Sequence, residues 1–179
     1  MTATGKTYGD ALYDLAAEEA LCDELLEQVK LLARLFRENP QYPALLTSPD
    51  IPREERLRLI GEALTGQVHP YLVNFLCLLC ERGRLPAFAG CAARYEQRWL
   101  EDHNTVRGRV SSAVPLTETQ LTALAARMGE TLGKHVLLEG TVSLSLIGGI
   151  RVEIDGRVWD GSLRGRLEEL SGLLRGAVL

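Results

Sequence analysis

No stretch of the chain approaches the roughly 20 consecutive apolar residues that crossing a bilayer requires. The most apolar run, residues 71–80 (YLVNFLCLLC), is about half that length and contains Asn74, so it is expected to be a buried helix. The first residues lack a basic region followed by an apolar core and are acidic rather than arginine-rich. Neither a secretory nor an organellar leader is expected there, and the expectation is a cytoplasmic protein with no membrane insertion of its own. Excess positive charge is also missing. Twenty Lys and Arg stand against 24 Asp and Glu, for a net charge of −4, which argues against a free-standing, non-specific nucleic-acid binder. Histidine is scarce, and His69, His103 and His135 stand far apart. The Cys77-x-x-Cys80 pair therefore has no further ligands at metal-like spacing, and no metal or other cofactor is expected. H-E-x-x-H, G-x-S-x-G and phosphate-loop patterns are all absent. There is no internal repeat and no low-complexity tract.

What is present is helical periodicity over the first hundred residues. After Thr7, Tyr8, Leu12, Leu15 and Ala16 form one stripe, while Asp10, Asp14 and Glu18 form another at intervals of four. Leu25, Val29, Leu32 and Phe36 make the next stripe, stopped by Asn39-Pro40. Residues 40–50 offer at most a short helix. Pro52 opens a segment with Leu57, Ile60 and Leu64 at helical spacing, ended by Gly66. Pro70 opens the apolar helix through Cys80, closed by Gly83. The last stripe is Phe88, Ala92, Tyr95 and Trp99. Six helices with short connections predict a bundle.

From Thr105 the period changes to two. Residues 105–116 read as a strand ending at Pro115, and Thr117 with Gln120 forms a capping box. In the helix that follows, Leu121, Leu124, Met128 and Leu132 face inward. Residues 135–145 predict a second strand, and Asp155-Gly156 the turn of a hairpin. Leu163, Leu167, Leu170 and Leu174 mark a final amphipathic helix with Ser162 as its N-cap. The expected fold is mainly α: a six-helix bundle over residues 1–104, then a small α+β domain over residues 105–179. Charge divides at the same place. The first part carries 11 basic and 16 acidic residues, the second 9 and 8.

The candidate chemistry is thin. A phosphate cradle requires glycines between a strand and a helix N-terminus, whereas Gly148-Gly149 precedes the strand-like IRVEI. A bulge or a close backbone approach accounts for the pair. Asp160, Gly161 and Ser162 read as a turn and cap, since a hydrolase would need a base and His135 is remote in sequence. The paired carboxylates Glu18-Glu19, Asp23-Glu24 and Glu54-Glu55 read as solvated charge. Arg151, Arg157, Arg164 and Arg166 read as ordinary charged surface. Two alternatives follow from the residues: a thiol-redox protein using Cys77 and Cys80, or a helical adaptor binding polyanions through those arginines.

Four segments in order resemble a known family. SLIGGIRVEIDGRVWDGSLRGRL (residues 145–167) is similar to the Leu-Ile-Gly-Gly-Ile…Asp-Gly-Ser…Leu signature of the δ subunit of bacterial F-type ATP synthase, the oligomycin-sensitivity-conferring protein family. VSSAVPLTETQ (residues 110–120) resembles the strand and helix start that precede that signature. YGDALYDLA (residues 8–16) resembles the family's opening, and NFLCLLCERGRL (residues 74–85) its Asn-x-Leu…Gly-Arg-Leu segment. Gly9 departs from the family's alanine, and Ser143-Leu144 from an Asp-Pro. The resemblance implies a non-catalytic subunit of the peripheral stalk that binds two partners: the α subunits of the catalytic head and the b-subunit dimer. It places an α-subunit helix in a groove between the first and fifth helices, with Tyr8, Leu12 and Leu15 on one side. Leu72, Phe75, Leu76 and Leu79 stand on the other. Leu163, Leu167, Leu170 and Leu174 are the candidates for the b-subunit contact, or else they cover the sheet, and the resemblance puts the protein at the cytoplasmic face of the membrane. A stripe alone does not separate groove rim from core.

Overall fold

The computed structural model describes residues 2–163. Among them are seven α-helices and four strands: a mainly helical chain with a small C-terminal sheet. Six helices precede the first strand: α1 (Ala3–Glu18), α2 (Cys22–Glu38), α3 (Gln41–Thr47), α4 (Arg53–Leu64), α5 (Pro70–Glu81) and α6 (Phe88–Asp102). Then follow β1 (Thr105–Ser112), α7 (Glu118–Leu132), β2 (His135–Val142), β3 (Ile150–Ile154) and β4 (Arg157–Asp160). The chain divides into two compact units, residues 1–99 and 100–179, with the division inside α6.

Helix α1 begins before the expected start at Tyr8, because the Thr2 hydroxyl accepts the Gly5 N–H at 3.2 Å and caps the end. Its buried face is Gly5, Gly9, Leu12, Tyr13 and Ala16. Tyr13 was absent from the expected stripe, and Leu15 lies outside the core. Pro70 occupies the first turn of α5, where its missing N–H costs nothing. His69 caps that helix, its Nδ1 accepting the Tyr71 N–H, which explains a lone histidine without a ligand.

One apolar cluster draws on α1, α2, α4, α5, α6 and the 3-10 turn Leu85–Ala87. Helix α3 contributes no buried residue, only the partly covered Leu46. The expected six helices therefore do not share the core equally. The α1–α6 seam is close because glycine removes the Cβ at Gly5 and Gly9, and it is held by Tyr13 edge-on to Tyr95 at 5.1 Å.

The sheet order is β2-β1-β3-β4. β1 and β2 are parallel and joined through α7, and the other pairs are antiparallel. Alternation puts Val106 and Val110 of β1 with Val152 and Ile154 of β3 on the face that α7 covers with Leu121, Leu124, Met128 and Leu132. The opposite face carries Arg107, Arg109, Glu139 and Glu153. The capping box forms as expected, with the Thr117 N–H and Gln120 N–H both satisfied. Gly133 ends α7 in the left-handed conformation. Asp155 (φ 52°) and Gly156 (φ 76°) make the hairpin turn with positive φ at both central positions.

Candidate functional site

Burial separates floor from rim among the groove candidates. Leu12, Leu72, Phe75, Leu76 and Leu79 are all core residues. Tyr8 is half-buried and meets Phe75 edge-on at 6.4 Å. Leu15, two turns along the Tyr8 stripe, is 37% exposed. Leu78, one turn beyond Phe75 and not among the expected residues, is 40% exposed. Sequence periodicity passed over Leu78 because it lies beside the most apolar face of α5, not on it.

A second apolar opening was not expected from sequence. A depression of about 350 Å³ lies among α2, α3 and α4, with Leu32, Phe36, Leu45, Ile60, Leu64 and Leu76 in its lining. The short α3 forms one wall, and its weak periodicity hid the feature.

The signature glycines sit at a junction of backbones. Gly149 has φ 82°, and a Cβ there would collide with the Gly161 carbonyl oxygen. Gly161 N–H donates to the Ile150 carbonyl at 2.9 Å, and Leu163 N–H donates to the Gly148 carbonyl at 3.0 Å. Ser162 is buried, and its N–H donates to Asp160 Oδ1 at 2.9 Å. The Ser162 hydroxyl and N–H hold the Asp160 carboxyl below its ordinary range. His135 starts β2, while Ser162 lies beside Ile150 at the Ser112 end of the sheet. Seven strand residues, about 23 Å at 3.3 Å each, separate them, so the structure brings no base to Ser162. Leu163 is exposed. Leu167, Leu170 and Leu174, and the helix that Ser162 was expected to cap, lie outside the described residues.

The Cys77 and Cys80 thiols are not activated. Burial pushes Cys77 and Cys80 up from the ordinary thiol value, and Cys91 up to about 11. Cys80 Sγ donates to the Leu46 carbonyl at 3.3 Å, as a packed side chain does. Among the described residues no three His, Cys, Asp or Glu side chains gather as a metal site, and no helix is long and apolar enough to cross a membrane.

Fold and site together define a mainly helical protein with a small C-terminal α+β unit, its apolar depression lying among the helices. The family model of the ATP synthase delta (OSCP) subunit matches residues 4–174. ATP synthase subunit delta of Geobacillus sp. (strain WCH70) is 35% identical over 172 residues, 96% of each chain. The subunit delta of Synechococcus elongatus (strain ATCC 33912 / PCC 7942 / FACHB-805) is 33% identical over 175 residues, covering 96% of this chain and 97% of that one. A chain of the Toxoplasma gondii mitochondrial ATP synthase hexamer shares the fold, with a TM-score of 0.67 at 16% identity over 97% of this chain and 98% of that one. The chain belongs to the ATP synthase delta (OSCP) family, and its role is that of a peripheral-stalk subunit of an ATP synthase.

Proposed function

We propose that this subunit joins the catalytic head to the b-subunit stalk without an active site of its own. The helices of residues 1–104 act as one bundle that receives the N-terminal helix of an α subunit. The unit over residues 105–179 binds the b dimer. The complex holds the protein peripherally at the cytoplasmic face of the membrane. Mechanically, such a link resists torque, so that rotation of the central shaft changes the catalytic sites instead of turning the head.

The observation that carries the head contact is that Tyr8 of α1 meets Phe75 of α5 edge-on at 6.4 Å over buried residues, while Leu15 on α1 and Leu78 on α5 are left exposed. A rigid floor with exposed apolar side chains at helical spacing is what the apolar stripe of an amphipathic helix requires. The rim also tells which substitutions are informative. Leu76→Asp would put a charge into the core and unfold the protein. Leu15→Asp and Leu78→Asp change side chains already in contact with water.

The test is calorimetric titration of the full chain with a peptide of the α subunit's N-terminal helix from the same organism. Leu15→Asp with Leu78→Asp is expected to weaken binding by about 30-fold or more, as desolvated apolar contacts are replaced by charge. Circular dichroism and the unfolding midpoint should stay unchanged. Undiminished binding by that variant would remove this groove from the head contact.

A further inference from the structure

The end of the sheet opposite the signature glycines holds a recess of about 320 Å³, lined by Val106, Leu132, Lys134, Ile154, Asp155 and Arg157. Val106, Leu132 and Ile154 belong to the apolar cluster under α7 and make an uncharged floor. Lys134, Asp155 and Arg157 bring two cations and one carboxylate to the walls. Among the described residues none of these three forms an ion pair. The walls are fixed through their backbones. Gly133 ends α7 in the left-handed conformation, and the Lys134 N–H donates to the Gly129 carbonyl at 3.3 Å. Asn104 Nδ2 donates to the Gly133 carbonyl at 3.1 Å, and the His135 N–H to the Asn104 carbonyl at 3.0 Å. Arg157 opens β4 directly after the two-residue turn, and alternation puts it on the α7 face with its partner Ile154. A capped helix end and a tight hairpin therefore place the two cations, and little backbone order is lost when a ligand arrives.

On the open face of the same sheet the cations face acids. Arg107 lies 4.0 Å from Glu139, Arg109 is in register with Glu139 and Glu153, and Arg151 stands opposite Asp160. Lys134 and Arg157 depart from that pattern in a chain whose net charge is −4. Two cations without an acid between them favour an anionic ligand, with the guanidinium offering a fork for a carboxylate and the ammonium a point charge. Asp155 limits that charge. With it counted, the walls carry one net positive charge, which matches a monoanion and repels the second charge of a phosphate monoester. The floor offers no polar side-chain atom, so a bare hydrated ion would gain nothing from it, whereas an apolar body would lose water against Val106 and Leu132. A dry cavity of about 150 Å³ takes up benzene, so this recess suits a molecule of roughly twice that size.

We propose that this recess binds a small apolar monocarboxylate, its carboxylate held between Arg157 and Lys134 and its body laid on Val106 and Leu132. The site lies within the second unit and does not depend on either subunit contact.

The experiment titrates the full chain with trans-cinnamate and follows the methyl resonances of Val106 and Leu132. Two molecules of similar size serve as comparisons: uncharged cinnamamide and dianionic phenyl phosphate. The expected result is a shift of both residues with a Kd of about 1 mM or tighter, and binding of each comparison weaker by about tenfold or more. Lys134→Gln with Arg157→Gln is expected to weaken cinnamate about tenfold or more. Both side chains are exposed, so the unfolding midpoint should stay unchanged. No shift of Val106 and Leu132 at about ten times that concentration overturns the proposal. Cinnamamide binding as tightly as cinnamate also overturns it, because the recess would then select apolar surface alone. Tighter binding of phenyl phosphate overturns the carboxylate assignment in favour of a phosphate. Equal cinnamate binding by wild type and the double variant removes the two cations from the site and overturns the proposal.

Discussion

At the scale of single residues, glycine shows how one substitution takes opposite signs in two helices. Gly61 lies inside α4 with nothing within 4 Å of the position a Cβ would take. Gly61→Ala therefore loses unfolded-state freedom and gains helix propensity at no steric cost, and is expected to raise stability by about 0.5–1 kcal/mol. Gly9 lies inside α1, where a Cβ would come within 2.7 Å of both Arg94 Cβ and the Cys91 carbonyl oxygen of α6. Neither neighbour is the free end of a flexible side chain. Overpacking of about 1–3 kcal/mol then exceeds the propensity gain of about 1 kcal/mol, and Gly9→Ala is expected to destabilise by about 1 kcal/mol. Urea midpoints for the two variants check both signs. At Gly9 the missing methyl lets α1 and α6 meet, and the seam does not tolerate its return.

At the scale of elements, the α1–α6 seam carries a charge network that belongs to neither helix alone. Arg94 Nε reaches Asp10 at 2.6 Å, Arg98 spans Asp10 and Asp14 at 3.2 and 3.0 Å, and the Arg98 guanidinium lies 5.0 Å from the Tyr13 ring centre. Burial opposes the charge on Asp10, but the hydrogen bonds from Arg94 and Arg98 outweigh it and hold the carboxyl below its ordinary value. A depressed acid contributes stability that is present above the unfolded pKa of about 3.9 and is lost as pH falls through the folded value. Asp10→Asn is expected to flatten the acid limb of the stability curve below about pH 4, measured by urea unfolding across pH, while leaving its shape near pH 7 unchanged. The spacing of Asp10 and Asp14 was legible in the sequence, but their partners 84 residues away were not, because periodicity reports a face and not what meets it. The same limit governs the rest. Local chemistry gave the Thr117–Gln120 capping box, Pro70 at a helix start, the Asp155-Gly156 hairpin and the end of α7 at Gly133. Tyr13 escaped because a tyrosine beside an acidic stripe looks like surface until Tyr95 covers it. At the groove, Leu12 on α1 and Leu72, Phe75, Leu76 and Leu79 on α5 follow the apolar stripes of their helices, and those stripes are the core. At the sheet end, Gly148-Gly149 was legible as a close backbone approach, but its partner, the Gly161 carbonyl, needed the register of β3 on β4.

At the scale of the whole molecule, the family is recognised along nearly the full chain, whereas each candidate surface sits within one compact unit. The rim of Tyr8, Leu15 and Leu78 is built on α1 and α5, and the recess on residues from Val106 to Arg157. A link that transmits force between two bodies has two joints in series, and it holds only when both are engaged. Two surfaces that share no residue and belong to different compact units should act independently, so their substitutions should combine additively in free energy within about 0.5 kcal/mol. Leu15→Asp with Leu78→Asp is expected to weaken the α-subunit peptide and leave b-subunit affinity within about twofold. Lys134→Gln with Arg157→Gln is expected to weaken trans-cinnamate and leave the α-subunit peptide within about twofold. The fourfold variant should then lose the peptide and trans-cinnamate by the same factors as the corresponding double variants. Titration of all four proteins, wild type included, with the peptide, trans-cinnamate and the soluble part of the b subunit measures this directly. A rim substitution that weakened the b subunit would mean that the two units communicate or share a partner, and the picture of one joint per unit would fail. Independence would locate the head joint in the helices and the stalk joint in the C-terminal unit, each open to redesign without disturbing the other.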